Sequence, residues 1–176
     1  MRLIFVGALF TVLNITYEFP TGAVLGFLPD FIGYIVIHAG VSRLLEREDY
    51  LAYPMYNPII ALRFLIGLGV ISWLSDLIIP GLSATPFVLL LAFLKIVLEI
   101  MFWVSFVGAL EQVERERTDY LMFSVVVWKG AQALFSVLVF TMIIEQFLTI
   151  IVLAWLGTTI LFIIELFRAM RRYEYA

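Results

Sequence analysis

The stretch PFVLLLAFLKIVLEIMFWVSFVGAL, residues 86–110, decides the class of fold. It begins with a proline, a residue favoured in the first turn of a helix. It carries only two ionisable residues, Lys95 and Glu99. A helix that crosses the hydrocarbon core of a bilayer needs about 17–25 mainly apolar residues. The stretch therefore predicts a membrane-spanning α-helix.

The composition of the whole chain agrees with this prediction. Hydrophobic residues make up 64% of the 176 residues, whereas a soluble domain is usually about 45–50% apolar. The formal net charge is −3, and no basic run suggests a nucleic-acid partner. The chain has no cysteine and a single histidine, His38, so we expect no disulfide, no metal site and no cofactor.

We predict an all-α integral membrane protein, with residues 1–176 forming one polytopic domain of about six transmembrane helices in three hairpins. The predicted spans are residues 3–19, 29–45, 58–79, 86–110, 120–144 and 147–169. The first span follows Arg2 and is interpreted as a retained signal anchor. The apolar segment 20–28 is too short to span, and we expect it to lie in the interface or to re-enter the membrane.

The distribution of arginine predicts that both termini are cytoplasmic. The connections around Pro20, Gly81 and Glu145 contain no lysine or arginine, whereas the alternate connections and both chain ends are basic. Cytoplasmic loops are enriched in basic residues. The basic residues that set this pattern are Arg2, Arg43, Arg47, Arg115, Arg117, Arg168, Arg171 and Arg172. Tyrosines cluster on the same predicted side, as in an aromatic belt: Tyr50, Tyr53, Tyr56, Tyr120, Tyr173 and Tyr175.

Ionisable side chains inside a span are costly to insert and are candidates for function. Lys95 and Glu99 are four residues apart and share one face of their helix. Either they neutralise each other, or they line a polar cavity in which Lys95 holds an anion or Glu99 carries a proton. In both cases we expect these side chains to point away from lipid.

Lys129 and Gln132 form a polar stripe on the predicted fifth helix. Lys129 has no acidic residue within reach on that helix, so it either extends toward the cytoplasmic side or pairs with a residue of another helix, for which Glu99 is a candidate.

Asp30, Tyr34 and His38 follow one another at four-residue spacing and share a face of the predicted second helix. The histidine either relays protons or makes a structural hydrogen bond, and Asp30 is well placed to cap the helix start. Gly33 and Gly40 allow another helix to approach closely.

Nearer the helix ends, we expect Glu165 to pair with Arg168. We expect Arg63 to pair with a cytoplasmic carboxylate or to reach the lipid headgroups.

The segment GFLPDFIGYIVIHAGVSRLL, residues 26–45, resembles a pattern of small multi-pass membrane proteins of Gram-positive bacteria, in which an LPDFIGY-like sequence opens the second helix. The resemblance implies a location in the bacterial cytoplasmic membrane. The size and six spans are also similar to the substrate-binding subunits of energy-coupling-factor vitamin transporters. In this chain, however, Gly7, Ala8 and Thr11 replace the small-residue spacing of the first helix of those subunits.

The leading functional hypothesis is a small transporter or solute-binding membrane subunit, whose polar interior uses Lys95, Glu99, Lys129, Gln132, His38 and Asp30. It would bind an ion or a small molecule. The alternatives are an assembly or regulatory partner of another membrane protein, or a homo-oligomer, docking through Gly33 and Gly40, and a lipid-handling enzyme. No phosphate loop, HExxH or GxSxG motif favours catalysis.

Overall fold

Among the residues that the structure describes, the chain forms six helices and one short hairpin of strands. The computed structural model describes residues 1–12, 16–18, 24–26, 29–47, 51–78, 86–113, 115–140 and 148–174, without the side chains of residues 16–18 and 24–26 and of some residues near helix ends. The helices are α1 (Arg2–Val12), α2 (Asp30–Arg47), α3 (Tyr56–Ile78), α4 (Pro86–Val113), α5 (Arg115–Phe140) and α6 (Leu148–Glu174). The prediction of a helical chain is confirmed.

The prediction that the first helix continues through residues 3–19 is wrong. Helix α1 ends at Val12, and strand β1 (Thr16–Glu18) pairs antiparallel with strand β2 (Val24–Gly26), Tyr17 opposite Leu25. β-Branched and aromatic residues such as Thr16 and Tyr17 favour strands over helix. Part of the segment 20–28 thus forms a strand that lies against α3.

Among the described residues, three helices are long and apolar enough to cross a membrane. The qualifying windows are Tyr56–Ser75, Leu90–Gln112 and Val152–Arg172. Helix α1 has 11 residues and is too short to span about 30 Å of hydrocarbon. Helix α2 contains four charged residues, Asp30, Arg43, Glu46 and Arg47. The three apolar helices indicate that the chain associates with a membrane.

Helix α1 packs antiparallel on α2 through glycines of both helices. A Cβ atom on Gly7 would lie 2.6 Å from the Gly33 carbonyl oxygen, and one on Gly40 would lie 2.7 Å from Ile4 Cγ1. Small residues let helix backbones approach this closely. The predicted role of Gly33 and Gly40 in close helix packing is therefore confirmed, and the helix that packs against them is α1.

The start of α2 lies beside the later part of α3. A Cβ atom on Gly69 would lie 2.8 Å from Phe31 Cβ, and the Phe31 ring meets the Trp73 ring edge-on with centroids 6.0 Å apart. Helix α3 continues to Ile78, about one and a half turns beyond Trp73. Helix α2 therefore begins short of the end of α3, and β2 packs on α3.

Contacts divide the chain into two compact units, Met1–Ser105 and Phe106–Ala176. The boundary falls within α4, so one continuous helix belongs to both units. In the second unit α5 packs against α6, where the rings of Trp128 and Phe162 stack with centroids 4.1 Å apart. The organisation as one domain stays a prediction, as does the second hairpin, of α3 with α4.

We expect Gly33→Ala to destabilise the protein, because the added methyl would lie 2.7 Å from Thr11 Cγ2 and 2.8 Å from the Gly7 carbonyl oxygen. Overpacking of this kind costs about 1–3 kcal/mol, against about 1 kcal/mol gained in helix propensity. The measurement is the thermal unfolding midpoint of the purified protein in detergent.

The matched control is Gly67→Ala in the same unit, since a Cβ there meets nothing within 4 Å. Its midpoint should be unchanged or higher. Equal effects of the two substitutions would show that the α1–α2 contact does not limit stability.

Candidate functional site

Two pairs of polar side chains join α2 to α4, and we call them together the ladder. Asp30 of α2 forms an ion pair with Lys95 of α4. One turn further along both helices, the Tyr34 hydroxyl donates a hydrogen bond to the Glu99 carboxylate. Each rung therefore joins one residue of α2 to one residue of α4, and both use i, i+4 spacing.

The ladder fixes the relative direction of the two helices. Its partners are 65 residues apart in the chain in both rungs. Moving four residues forward along α2 therefore corresponds to moving four residues forward along α4. The two helices run parallel in this region and in constant register, since residues four apart on each helix lie on the same face.

The two rungs differ in their access to the surface. Tyr34 is 1% exposed and Glu99 is 6% exposed, whereas the side chain of Lys95 is 29% exposed and that of Asp30 is 12% exposed. The Tyr34–Glu99 rung is thus closed and the Asp30–Lys95 rung is partly open. Asp30 also holds a buried carboxylate oxygen, Oδ1, that has no hydrogen-bond partner among the described atoms.

The first rung lies at the start of α2. Asp30 is the first residue of α2, and the positive end of the helix dipole favours a carboxylate there. Lys95 lies nine positions after Pro86, the first residue of α4, which is about 13 Å along the helix axis. The ladder is therefore close to the middle of α4, beside the start of α2.

The ladder brings together three of the six residues singled out from the sequence. Lys95 and Glu99 each have a partner on α2, in addition to the interaction expected between the two of them. That they neutralise each other or line a cavity stays a prediction. Tyr34 is the member that the list of candidates missed. Its four-residue spacing from Asp30 was visible in the sequence, but its bond to Glu99 depends on the packing of α2 and α4.

His38 lies one turn beyond Tyr34 on α2 and is half-buried. Among the described residues, no hydrogen bond joins it to the ladder. On the shared face of α2, Asp30 and Tyr34 therefore contact α4, and His38 follows them without a hydrogen bond to the ladder.

Lys129 and Gln132 lie in the second unit. Lys129 is 3% exposed, its ammonium donates to Gln132 Oε1 at 2.8 Å, and Nζ lies 3.8 Å from the centre of the Trp128 ring. A cation over an aromatic face is electrostatically stabilised. The lysine is buried against these groups, so it does not extend to the surface; its predicted pairing with Glu99 stays a prediction.

The predicted ion pair of Glu165 with Arg168, near the end of α6, is confirmed. Arg168 Nη1 donates to Glu165 Oε1 at 2.6 Å. Among the described residues, no group of three histidine, aspartate or glutamate side chains is arranged to hold a metal ion. The ladder supplies one ammonium, two carboxyl groups and one phenol.

Comparison of the chain with protein-family models, with curated proteins and with solved structures finds no match.

We expect Lys95→Met to lower stability by about 1–3 kcal/mol, because it leaves the Asp30 carboxylate buried without its partner. The double variant Asp30→Asn with Lys95→Met should recover most of this loss, since no lone charge then remains. The measurement is a double-mutant cycle of unfolding free energies in detergent.

The control cycle combines Lys95→Met with Glu165→Gln, whose carboxylate pairs with Arg168 instead. Effects in this control should add, as they do for independent sites. Simple additivity in the Asp30 and Lys95 cycle as well would contradict the ion pair.

Proposed function

We propose that the protein is a small transporter or solute-binding subunit of the bacterial cytoplasmic membrane, and that the ladder is its polar site. The observation that carries this proposal is the ladder itself. Its four polar side chains join α2 to α4. They do so at the start of α2, in a chain that has three long apolar helices.

Placing ionisable side chains within a membrane helix costs free energy. Ionisable side chains within membrane helices are rare, and they commonly mark the pathways of substrates and ions. Transporters often place their sites where a helix is interrupted, because helix ends provide partial charges and unpaired backbone groups. Non-helical backbone at membrane depth is tolerated where protein shelters it, and β2 packing on α3 fits that condition.

The chemistry of the partly open rung suggests the class of solute. Lys95 presents an ammonium and Asp30 a carboxylate, with Asp30 Oδ1 still able to accept a hydrogen bond. A small zwitterion would satisfy both residues by exchanging partners, its carboxylate on Lys95 and its ammonium on Asp30. The closed rung of Tyr34 and Glu99 would then hold α2 and α4 in register while the first rung opens.

Six crossings with both termini in the cytoplasm belong to this proposal. In that topology α2 and α4 cross in the same direction, and the parallel register of the ladder supports this arrangement. Tyr53 is 91% exposed, Tyr56 65% and Tyr120 67%, as residues of an interfacial belt should be. Helix α1 would enter the membrane beside α2.

The topology can be tested by labelling, because the natural chain contains no cysteine. We expect Ser83→Cys, in the predicted outer connection, to react in intact cells with a maleimide that cannot cross membranes. Tyr53→Cys and Ala176→Cys should react only after lysis. Labelling of Tyr53→Cys in intact cells at the level of Ser83→Cys would show that α3 does not cross.

The binding function can be tested by thermal stabilisation of the purified chain with a panel of amino acids, other zwitterions, organic anions and cations. A solute present at 100 times its dissociation constant should add about 2.7 kcal/mol of stability. Lys95→Met and Glu99→Gln should abolish this gain, because the first removes the ammonium and the second weakens the closed rung.

The control is Arg168→Gln, which breaks an ion pair at a helix end outside the ladder and should keep the stabilisation. If no member of the panel stabilises the protein, or if Lys95→Met responds as the natural sequence does, the ladder is not a solute site.

The alternative hypothesis of a docking protein was based on the surface of α2 around Gly33 and Gly40. Gly33 and Gly40 are buried beneath α1, within van der Waals reach of Thr11 and Ile4. A partner cannot use that face while α1 occupies it.

A further inference from the structure

Arg63 is an exposed cation on an apolar helix surface. It lies within Tyr56–Ser75, one of the windows long and apolar enough to cross a membrane, and its side chain is exposed. The same helix also exposes Phe64 at 63% and Ile71 at 49%. In a membrane this surface contacts lipid, so Arg63 faces lipid and not the packed interior.

The guanidinium lies deeper than the tyrosines near the start of α3. Arg63 is seven residues after Tyr56, which is two turns and about 10.5 Å along the axis on nearly the same face. Tyr56 is 65% exposed, and exposed tyrosines mark the interface. An arginine at that depth is costly unless it reaches an anion or water, and the described residues offer it no hydrogen bond or ion pair.

A gap in the helix surface adjoins Arg63 on its deeper side. Gly67, one turn further along α3, is exposed, and a Cβ there would meet nothing within 4 Å. Phe64 and Ile71 flank this position at helical spacing. The surface thus has a cation at the shallower end and a groove bordered by apolar side chains at the deeper end.

We propose that this surface of α3 binds one anionic phospholipid. Arg63 holds the phosphodiester through two hydrogen bonds, for which the planar guanidinium is suited. An acyl chain lies in the groove at Gly67. The described exposed side chains of α3 include no carboxylate, so a headgroup ammonium would find no partner and would be repelled by Arg63. This site requires α3 to lie in a membrane, but it does not depend on transport.

The test is native mass spectrometry of the full chain released from nanodiscs with equal amounts of phosphatidylglycerol and phosphatidylcholine. We expect the natural chain to retain phosphatidylglycerol preferentially. Arg63→Gln should lower that retention at least about tenfold, as expected for the loss of hydrogen bonds to a charged group. Gly67→Leu should also lower it, since the added side chain fills the groove without changing charge.

The matched control is Arg43→Gln, which removes another exposed arginine, near the end of α2, and should keep the lipid. Full retention by Arg63→Gln, an equal loss in Arg43→Gln, or equal retention of phosphatidylcholine would overturn the proposal. Release of the lipid by excess inorganic phosphate would also overturn it, because the site would then recognise the free anion. None of these outcomes involves the ladder, so they leave the proposed solute site unaffected.

Discussion

The need to pair charged groups inside an apolar bundle is the constraint on which the first unit depends. Lys95 and Glu99 lie on a helix with few other polar groups, and α2 supplies a partner for each: Asp30 and Tyr34. Two rungs at i, i+4 spacing allow one register and one relative direction. A shift of one residue along either helix would separate both pairs at once, so the ladder specifies how α2 and α4 align.

Packing of α1 supports this arrangement from the other side of α2. The glycines at positions 7, 33 and 40 let the two backbones approach so closely that a methyl group added to any of them would clash with the other helix. Helix α2 is therefore held by apolar contact with α1 and by polar contact with α4. A helix fixed in this way can carry a charged residue at its first position while the chain before it adopts a strand.

The accuracy of the sequence-based predictions follows the range of the interactions involved. Glu165 and Arg168 were paired correctly because they are three residues apart on one helix, where geometry is nearly independent of the fold. The helix predicted over residues 3–19 was too long, because hydrophobicity does not distinguish a helix from a strand such as β1, which pairs with β2. The partners of Lys95 and Glu99 on α2 were not predicted, because they lie 65 residues away in the chain.

The sequence by itself determined the helical class, the positions of most helices and the apolar character of three of them, since these depend on composition and on local spacing. It also located the costly residues, because any charge inside an apolar segment is visible. Only the tertiary structure decided which of them meet. Contacts between Asp30 and Lys95, between Tyr34 and Glu99, and between α1 and the glycines of α2 depend on relative helix positions, which no local pattern specifies.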